Sequence, residues 1–324
     1  MRAIALISGG LDSTIATKLI KDLGIELIAL NTVSPFCLCN QRSSYGCVHG
    51  AKSVADALGI KLISINVTDE FLAIVKKPKY GYGSNMNPCI DCRILLFKKA
   101  KEMMIKEDAA FVITGEVADQ RPMSQKRKTM SLIDKQAGLE GLVLRPLSAK
   151  VMPETIPEKQ GWVDRSKLLA ILGRRRRVQM DLADKFGIND YPCPSGGCLL
   201  TVKEFSLRLK DLLKYNEFDL SNINLLKLGR HFRLSDKAKL IVGRDEPENR
   251  RLVDMAAIDD CIFMAPQDVA GPTALGRGKF DDNLIKLASS IVSYYCDAPG
   301  EVIVRGQTLN IEPIKEQNLE AMRV

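Results

Sequence analysis

Apolar runs separated by amphipathic stretches dominate the first 115 residues. Residues 3–7 form a short uninterrupted apolar run, which predicts a buried strand. Over 12–23, Ile15, Ala16, Leu19, Ile20 and Leu23 fall on one helical face, and Gly24 supplies a stop. The alternation continues with a strand over 27–31, a helix over 51–58 closed by Gly59, and a strand over 61–67. A longer helix over 91–106 and a strand over 111–114 complete it. Apolar strands separated by helices predict an α/β fold, a parallel sheet covered on both faces. Such sheets bind ligands at the carboxyl ends of their strands, so the loops after Ile7, Asn31, Val67 and Thr114 are the places for chemistry.

The pattern changes near Arg145. Prolines at 146, 153 and 157 interrupt it, and a short helical stretch over 165–172 precedes a basic run, Arg174, Arg175, Arg176 and Arg177. A helix over 180–186 and a loop over 191–198 follow. Beyond Phe205, strand patterns over 238–242, 261–264 and 302–304 and a helix over 283–294 predict an α+β region. The chain therefore divides into three expected parts: 1–147, a small connecting domain over 148–204, and 205–324.

Composition narrows the class. With 324 residues, 46% hydrophobic and 27% charged, the chain is neither disordered nor collagen-like. Lysine and arginine number 47 against 39 acidic residues, an excess of +8 that permits a polyanionic partner without requiring one. Nine cysteines against two histidines is the unusual feature. The first apolar run is too short for a secretory leader, and no stretch approaches the ~18 apolar residues of a membrane span. A cytoplasmic enzyme whose cysteines are reduced or ligated is expected, with no membrane partner.

Ser8-Gly9-Gly10-Leu11-Asp12-Ser13 joins the first strand to the first helix. Paired glycines let backbone approach a ligand closely, and the helix N-terminus that follows favours phosphate. No Gly-Lys-Ser/Thr follows, and no G-x-G-x-x-G is present, so neither common nucleotide fingerprint applies. The hexapeptide instead resembles the signature of the PP-loop ATP pyrophosphatases. That resemblance implies a Rossmann-like, adenine nucleotide alpha hydrolase-type domain that binds ATP, usually with Mg²⁺, and transfers AMP to a substrate oxygen. It assigns Ser8, Gly9, Gly10, Asp12 and Ser13 to the triphosphate and the loop after Leu30 to the adenine. Thr114-Gly115-Glu116 resembles the family's later nucleotide-contacting turn, which adds Gly115.

Asn87-Pro88-Cys89-Ile90-Asp91-Cys92 places a C-x-x-C at a helix start, where the dipole favours thiolates. By itself the pair reads as zinc ligands, a redox pair or half-buried thiols. A second segment, Tyr191-Pro192-Cys193-Pro194-Ser195-Gly196-Gly197-Cys198, lies far along the chain. Residues 87–97 resemble the Asn-Pro…Cys segment of tRNA 2-thiouridylases, and Gly197-Cys198-Leu199-Leu200 with Phe205 resembles their second cysteine segment. The family's two cysteines correspond to Cys92 and Cys198, and Cys89 stands where aspartate is common. Three cysteines resemble the iron–sulfur branch of tRNA thiolases. That implies a [4Fe–4S] cluster on Cys89, Cys92 and Cys198 with one iron open, consistent with the preference of soft thiolates. With Asp12 these form the expected catalytic set. Structural zinc held by Cys89, Cys92, Cys193 and Cys198 stays open. So does persulfide chemistry in which Cys198 carries sulfur and Cys92 resolves it. Cys37, Cys39 and Cys47 share a loop, with a second metal site, a sulfur relay or no chemistry as alternatives. Cys261 and Cys296 read as core.

Beside a polynucleotide, Arg174 to Arg177 read as phosphate contacts. Trp162, the single tryptophan, reads as a packing anchor. Gly229-Arg230-His231-Phe232-Arg233-Leu234, Ile241 to Asp245 with Glu248 and Asn249, and Asp268 to Gly271 resemble the RNA-binding domain of NFACT-type proteins. That resemblance implies RNA contacts from Arg230, His231, Arg233 and Arg244, against the alternative that these arginines pair with acids such as Asp245 and Glu248. Together the resemblances imply an ATP-dependent tRNA sulfurtransferase. It would adenylate a uridine carbonyl and replace the oxygen with sulfur from sulfide or a persulfide carrier. Both 4-thiouridine and 2-thiouridine stay open, as does oligomeric state, a homodimer included. The rivals are a PP-loop amidating or nitrile-forming enzyme of deazaguanine synthesis with structural zinc, a sulfur-removing enzyme, and a non-catalytic RNA-binding factor.

Overall fold

The computed structural model describes residues 1–37, 46–188, 197–266 and 269–324, with side chains of the second stretch from His49 onward. The chain divides into two compact units, Met1–Thr201 and Val202–Val324.

In the first unit, β1 (Arg2–Leu6) is the middle strand of a five-stranded sheet. Around it lie β2 (Glu26–Val33), β3 (Lys61–Asn66), β4 (Phe111–Thr114) and β5 (Val143–Leu144) in the order β3-β2-β1-β4-β5. Every pairing is parallel, with Ala3 opposite both Leu27 and Phe111. The apolar strand runs thus form the expected α/β, Rossmann-like sheet. The period of two in β1 sends Ala3 and Ala5 to one face, against Val54, Ala55 and Leu58 of α2 (Gly46–Leu58). Ile4 goes to the other face with Ile28 and Leu30, against Ile94, Phe97 and Ala100 of α4 (Cys89–Lys106). Phe97 and Phe111 are fully buried, each contributing roughly 1.5–3 kcal/mol of transfer free energy. Ile20 of α1 (Leu11–Asp22) joins the Ala3 face, whereas Ile133 and Ala137 of α5 (Arg127–Ala137) join the Ile4 face. The other helices of this stretch are α3 (Thr68–Lys76) and α6 (Ile156–Lys159).

The proline-rich stretch after Arg145 packs onto the same unit. The stretch expected as a helix over 165–172 is a short 3₁₀ turn, Arg165–Lys167, followed by extended chain. Its backbone pairs with the chain after β5 instead: Leu169 N–H donates to Pro146 O at 2.9 Å and Ile171 N–H to Leu147 O at 2.8 Å. Those bonds, with Leu168 and Ile171 buried, outweigh local helix propensity. Trp162 stacks on Phe111 with ring centroids 6.3 Å apart, the packing anchor expected of it. Then α7 (Arg177–Lys185) lays Ala183 and Leu182 against Leu11, Ile15 and Ala16 of α1.

The second unit carries α8 (Lys203–Lys214), α9 (Leu220–Leu225) and a six-stranded antiparallel sheet. Its strands are β6 (Arg230–Ser235), β7 (Ala238–Val242), β8 (Cys261–Met264), β9 (Thr273–Gly278), β10 (Glu301–Val304) and β11 (Gln307–Asn310). They run in the order β11-β10-β8-β9-β7-β6. Three further helices are α10 (Glu246–Asp254), α11 (Asp282–Tyr294) and α12 (Glu316–Met322). Asp281 caps α11 by accepting from Leu284 N–H at 2.8 Å. Cys261 and Cys296 lie in this core beside Phe263 and Val292, as expected.

Candidate functional site

The loop between β1 and α1 is shaped by its glycines. Gly9 has φ +73°, and a Cβ there would stand 2.7 Å from the Gly50 carbonyl carbon of α2, so only glycine fits. Gly10 begins α1 with no side-chain cap. The hydroxyls of Ser13 and Thr14 donate to Gly10 O at 2.8 and 3.0 Å, and the Ser8 and Ser13 hydroxyls are 3.3 Å apart. After β4, Gly115 packs on the first turn of α1. A Cβ on it would come within 2.5 Å of Asp12 C and Ser13 N.

Above this loop, at the carboxyl ends of β1, β2 and β4, lies a cavity of about 260 Å³. All five expected loop positions (Ser8, Gly9, Gly10, Asp12 and Ser13) and Gly115 line it, as do Arg93, Arg121 and Arg176. Its polar groups are unusually short of partners. Asp12 Oδ1, Asn31 Nδ2, Gln125 Oε1 and Arg176 Nη1 are buried without a hydrogen bond, and all four residues line the cavity. Buried polar groups are normally satisfied, so this set suits a polar ligand.

Asp12 accepts from Gln120 Nε2 at 2.7 Å through Oδ2, and Arg176 Nη2 stands 3.9 Å from the same oxygen. Burial raises the Asp12 carboxyl above the usual range, against the pull of Gln120 and Arg176. Opposite, Glu116 is buried between two arginines: Oε2 accepts from Arg145 Nε at 3.1 Å, and Oε1 is 3.3 Å from Arg93 Nε. Arg145 also clasps Asp134 with bonds of 2.9 and 2.7 Å and lies over the Phe97 ring. Burial and the Arg93 charge pull the Arg121 guanidinium below its usual range, a sign of concentrated positive charge.

Cys89 is the first residue of α4, and Cys92 follows on the same turn. The Cys198 segment is tied down on two sides. Leu199 N–H donates to Phe36 O at 2.8 Å, and Met86 N–H donates to Leu200 O at 3.1 Å. Asn85 Nδ2 adds a bond to Thr201 O at 2.7 Å. All three cysteines are free and half-buried, and Cys198 also lines the cavity. Burial pushes the Cys92 thiol up to about 11. Burial, aided by Cys92 and Cys89, pushes the Cys198 thiol up to about 12. Burial raises Cys89 too, with Arg93 and Arg121 opposing. Desolvation therefore opposes the thiolate form that the helix dipole was expected to favour. The donor chemistry fits a thiophilic metal or cluster. No group of three or more His, Cys, Asp or Glu is arranged as a metal site among the described residues. Cys37, whose backbone bridges to Cys198, is disulfide-bonded, unlike the reduced or ligated state expected. Cys39, Cys193 and the side chain of Cys47 lie outside the described residues.

The expected RNA contacts are differently disposed. Arg174, Arg175 and Arg177 are exposed, whereas Arg176 turns into the cavity with its side chain 18% exposed. On β6, His231 is buried, with Nε2 2.8 Å from Leu228 O, and burial lowers its pKa well below the usual value. Arg233 is held by Asp211 and Glu217, each with a bond of 2.6 Å, and lies over Tyr215. Arg244 pairs with Glu248, as the alternative reading had it. Arg230 lies 4.7 Å over the Tyr295 ring. Sequence reasoning missed Arg93, Arg121, Gln120 and Gln179. Only Arg93, beside Cys92, stood near a recognisable motif.

No helix among the described residues is long and apolar enough to cross a membrane. Residues 1–156 match the family model described as tRNA methyl transferase HUP domain, and residues 229–323 match NFACT protein RNA binding domain. The PP-loop and NFACT resemblances are thereby borne out. A tRNA-specific 2-thiouridylase of Caldanaerobacter subterraneus subsp. tengcongensis is 30% identical over 125 residues, covering 35% of this chain and 34% of that protein. A probable tRNA sulfurtransferase of Moorella thermoacetica is 33% identical over 148 residues, covering 46% and 36%. The matched stretch thus spans about a third of either relative's length, 34% and 36%. Among solved structures, a 4-thiouridine synthetase–RNA complex with bound ATP matches at 18% identity and TM-score 0.39, covering 70% of this chain and 52% of that one.

Proposed function

We propose that this chain is an ATP-dependent tRNA sulfurtransferase, which adenylates a carbonyl oxygen of a tRNA uridine and replaces that oxygen with sulfur. One observation carries the reading: Cys198 lines the cavity over the glycine loop. A cysteine thus stands at the wall of the proposed nucleotide site, in a chain that also matches an RNA-binding domain model. The names of the two curated relatives point the same way.

In this reading the ATP phosphates lie over Ser8, Gly9, Gly10 and Ser13, facing the free N–H groups of α1. The uridine oxygen attacks the α-phosphorus and pyrophosphate leaves, its charge met by Arg93 and Arg121. Glu116, braced by Arg145 and Asp134, holds Arg93 at the cavity wall. Asp12, with its unpartnered Oδ1, would hold Mg²⁺, which would supply neutralising charge for the phosphates. Sulfide then attacks the activated carbon, and AMP departs with the original oxygen. Where a persulfide carrier delivers the sulfur, a second thiol must cleave the resulting S–S bond, ending in a disulfide with the carrier thiol. Cys89, Cys92 and Cys198 would hold a [4Fe–4S] cluster. When bound, such a cluster supplies an open iron able to carry sulfur. A tRNA substrate makes the cytoplasm the expected compartment.

The test is tRNA-dependent release of pyrophosphate from ATP by the anaerobically purified full chain. Release with unmodified tRNA, lost in Gly9→Ala, is expected. No release with any unmodified tRNA would overturn the reading.

A further inference from the structure

The basic run over 174–177 does not act as one surface. Arg174, Arg175 and Arg177 face solvent. Arg176, between them, points at the glycine loop and lines the cavity. Its nearest acid, Asp12, is 3.9 Å away, too far for a hydrogen bond, and its Nη1 is buried with no partner. A guanidinium so enclosed is under-satisfied, and a phosphate matches its fork.

The helix that Arg176 precedes is fixed to the loop it points at. Ala183 packs with Leu11, Ile15 and Ala16 of α1. Gln179, fully buried on α7, donates to Gln120 Oε1 at 3.3 Å, and Gln120 donates to Asp12 at 2.7 Å. The Arg176 backbone is thus held relative to the phosphate cradle, while its side chain keeps unused hydrogen-bonding capacity.

We propose that Arg176 is a ligand of the nucleotide's phosphates, leaving Asp12 for the bound triphosphate, and that its exposed neighbours alone face RNA. The proposal rests on the nucleotide reading of the cavity and assigns one residue of the run to a different polyanion from the others.

The test measures ATP, AMP and tRNA affinity for the full chain and three variants: Arg176→Ala, Arg176→Lys and the double variant Arg174→Ala with Arg175→Ala. Arg176→Ala should weaken ATP binding roughly 10- to 100-fold while changing AMP affinity little, because the lost contact is to the outer phosphates. Arg176→Lys should recover part of the loss. Its tRNA affinity and salt slope should match wild type, whereas the double variant should show the reverse pattern. ATP affinity within twofold of wild type in Arg176→Ala would overturn the proposal, as would a salt slope reduced as in the double variant. If wild type itself fails to bind ATP, the nucleotide reading of the cavity falls instead. A native urea midpoint in Arg176→Lys separates ligand loss from misfolding.

Discussion

Gly115→Ala tests the nucleotide loop through space alone. Gly115 is not among the residues with positive φ, so its backbone tolerates alanine without strain. The added methyl would stand 2.5 Å from Asp12 C and Ser13 N, and 2.6 Å from Asp12 O, where ordinary contacts begin at 3.4 Å. All of those atoms are backbone, so no side chain can swing away. The first turn of α1 and the end of β4 must therefore separate by about 1 Å. Overpacking of this kind costs roughly 1–3 kcal/mol, a loss that leaves a chain of this size folded. A displacement of ~1 Å at a reacting site can cost on the order of 10²-fold, and Asp12 and Ser13 are the groups displaced. Calorimetric ATP binding and urea unfolding measure the two effects separately. Gly24→Ala is the control, because it introduces left-handed strain at φ +81° with nothing within 4 Å and should leave ATP affinity alone. ATP affinity within twofold of wild type in Gly115→Ala, with an unchanged urea midpoint, would refute the close approach and the role of this loop.

Two further predictions concern titration and metal content. Burial pulls the Lys239 pKa down to about 8, against the attraction of Asp211 3.2 Å away. A folded-state value below the unfolded one means the unfolded chain holds the proton longer. Stability should therefore be flat below pH 8 and rise between about pH 8 and 10, by at most ~3 kcal/mol. The urea transition of the second unit, wild type minus Lys239→Met, should grow between pH 7.5 and 9.5. A flat difference contradicts the depressed lysine. Anaerobically isolated protein should contain iron and acid-labile sulfide at about four each per chain, lost in Cys89→Ala, Cys92→Ala and Cys198→Ala alike. One zinc per chain instead would sink the cluster assignment.

The legible parts were those whose signals are local. The strand–glycine–helix transition at residues 3–23 needs only neighbouring residues, and both the sheet and the cavity's position follow from it. The buried pair of Glu116 with Arg145, by contrast, joins residues 29 apart and leaves no periodic trace. Strand β6 was missed because its charges mask the alternation. Phe232 is fully buried, and the arginines flanking it are paired or stacked rather than free. That also explains His231 and Arg233: a basic cluster in the sequence does not reveal that Asp211 and Glu217 arrive from α8 and the turn after it. Arg176 has the same lesson in reverse, since membership of a charge run hid an inward side chain. Helix α3 and α5 escaped because each is short and carries many charged residues, while the C-x-x-C drew attention to α4.

The most direct measurement is nucleoside mass spectrometry of unmodified tRNA incubated anaerobically with the purified chain, ATP, Mg²⁺ and sulfide. The account predicts a thiouridine, formed only when ATP is present and lost in the Cys198→Ala variant. Uridine left unchanged in a cluster-loaded preparation that binds both ATP and tRNA would contradict it.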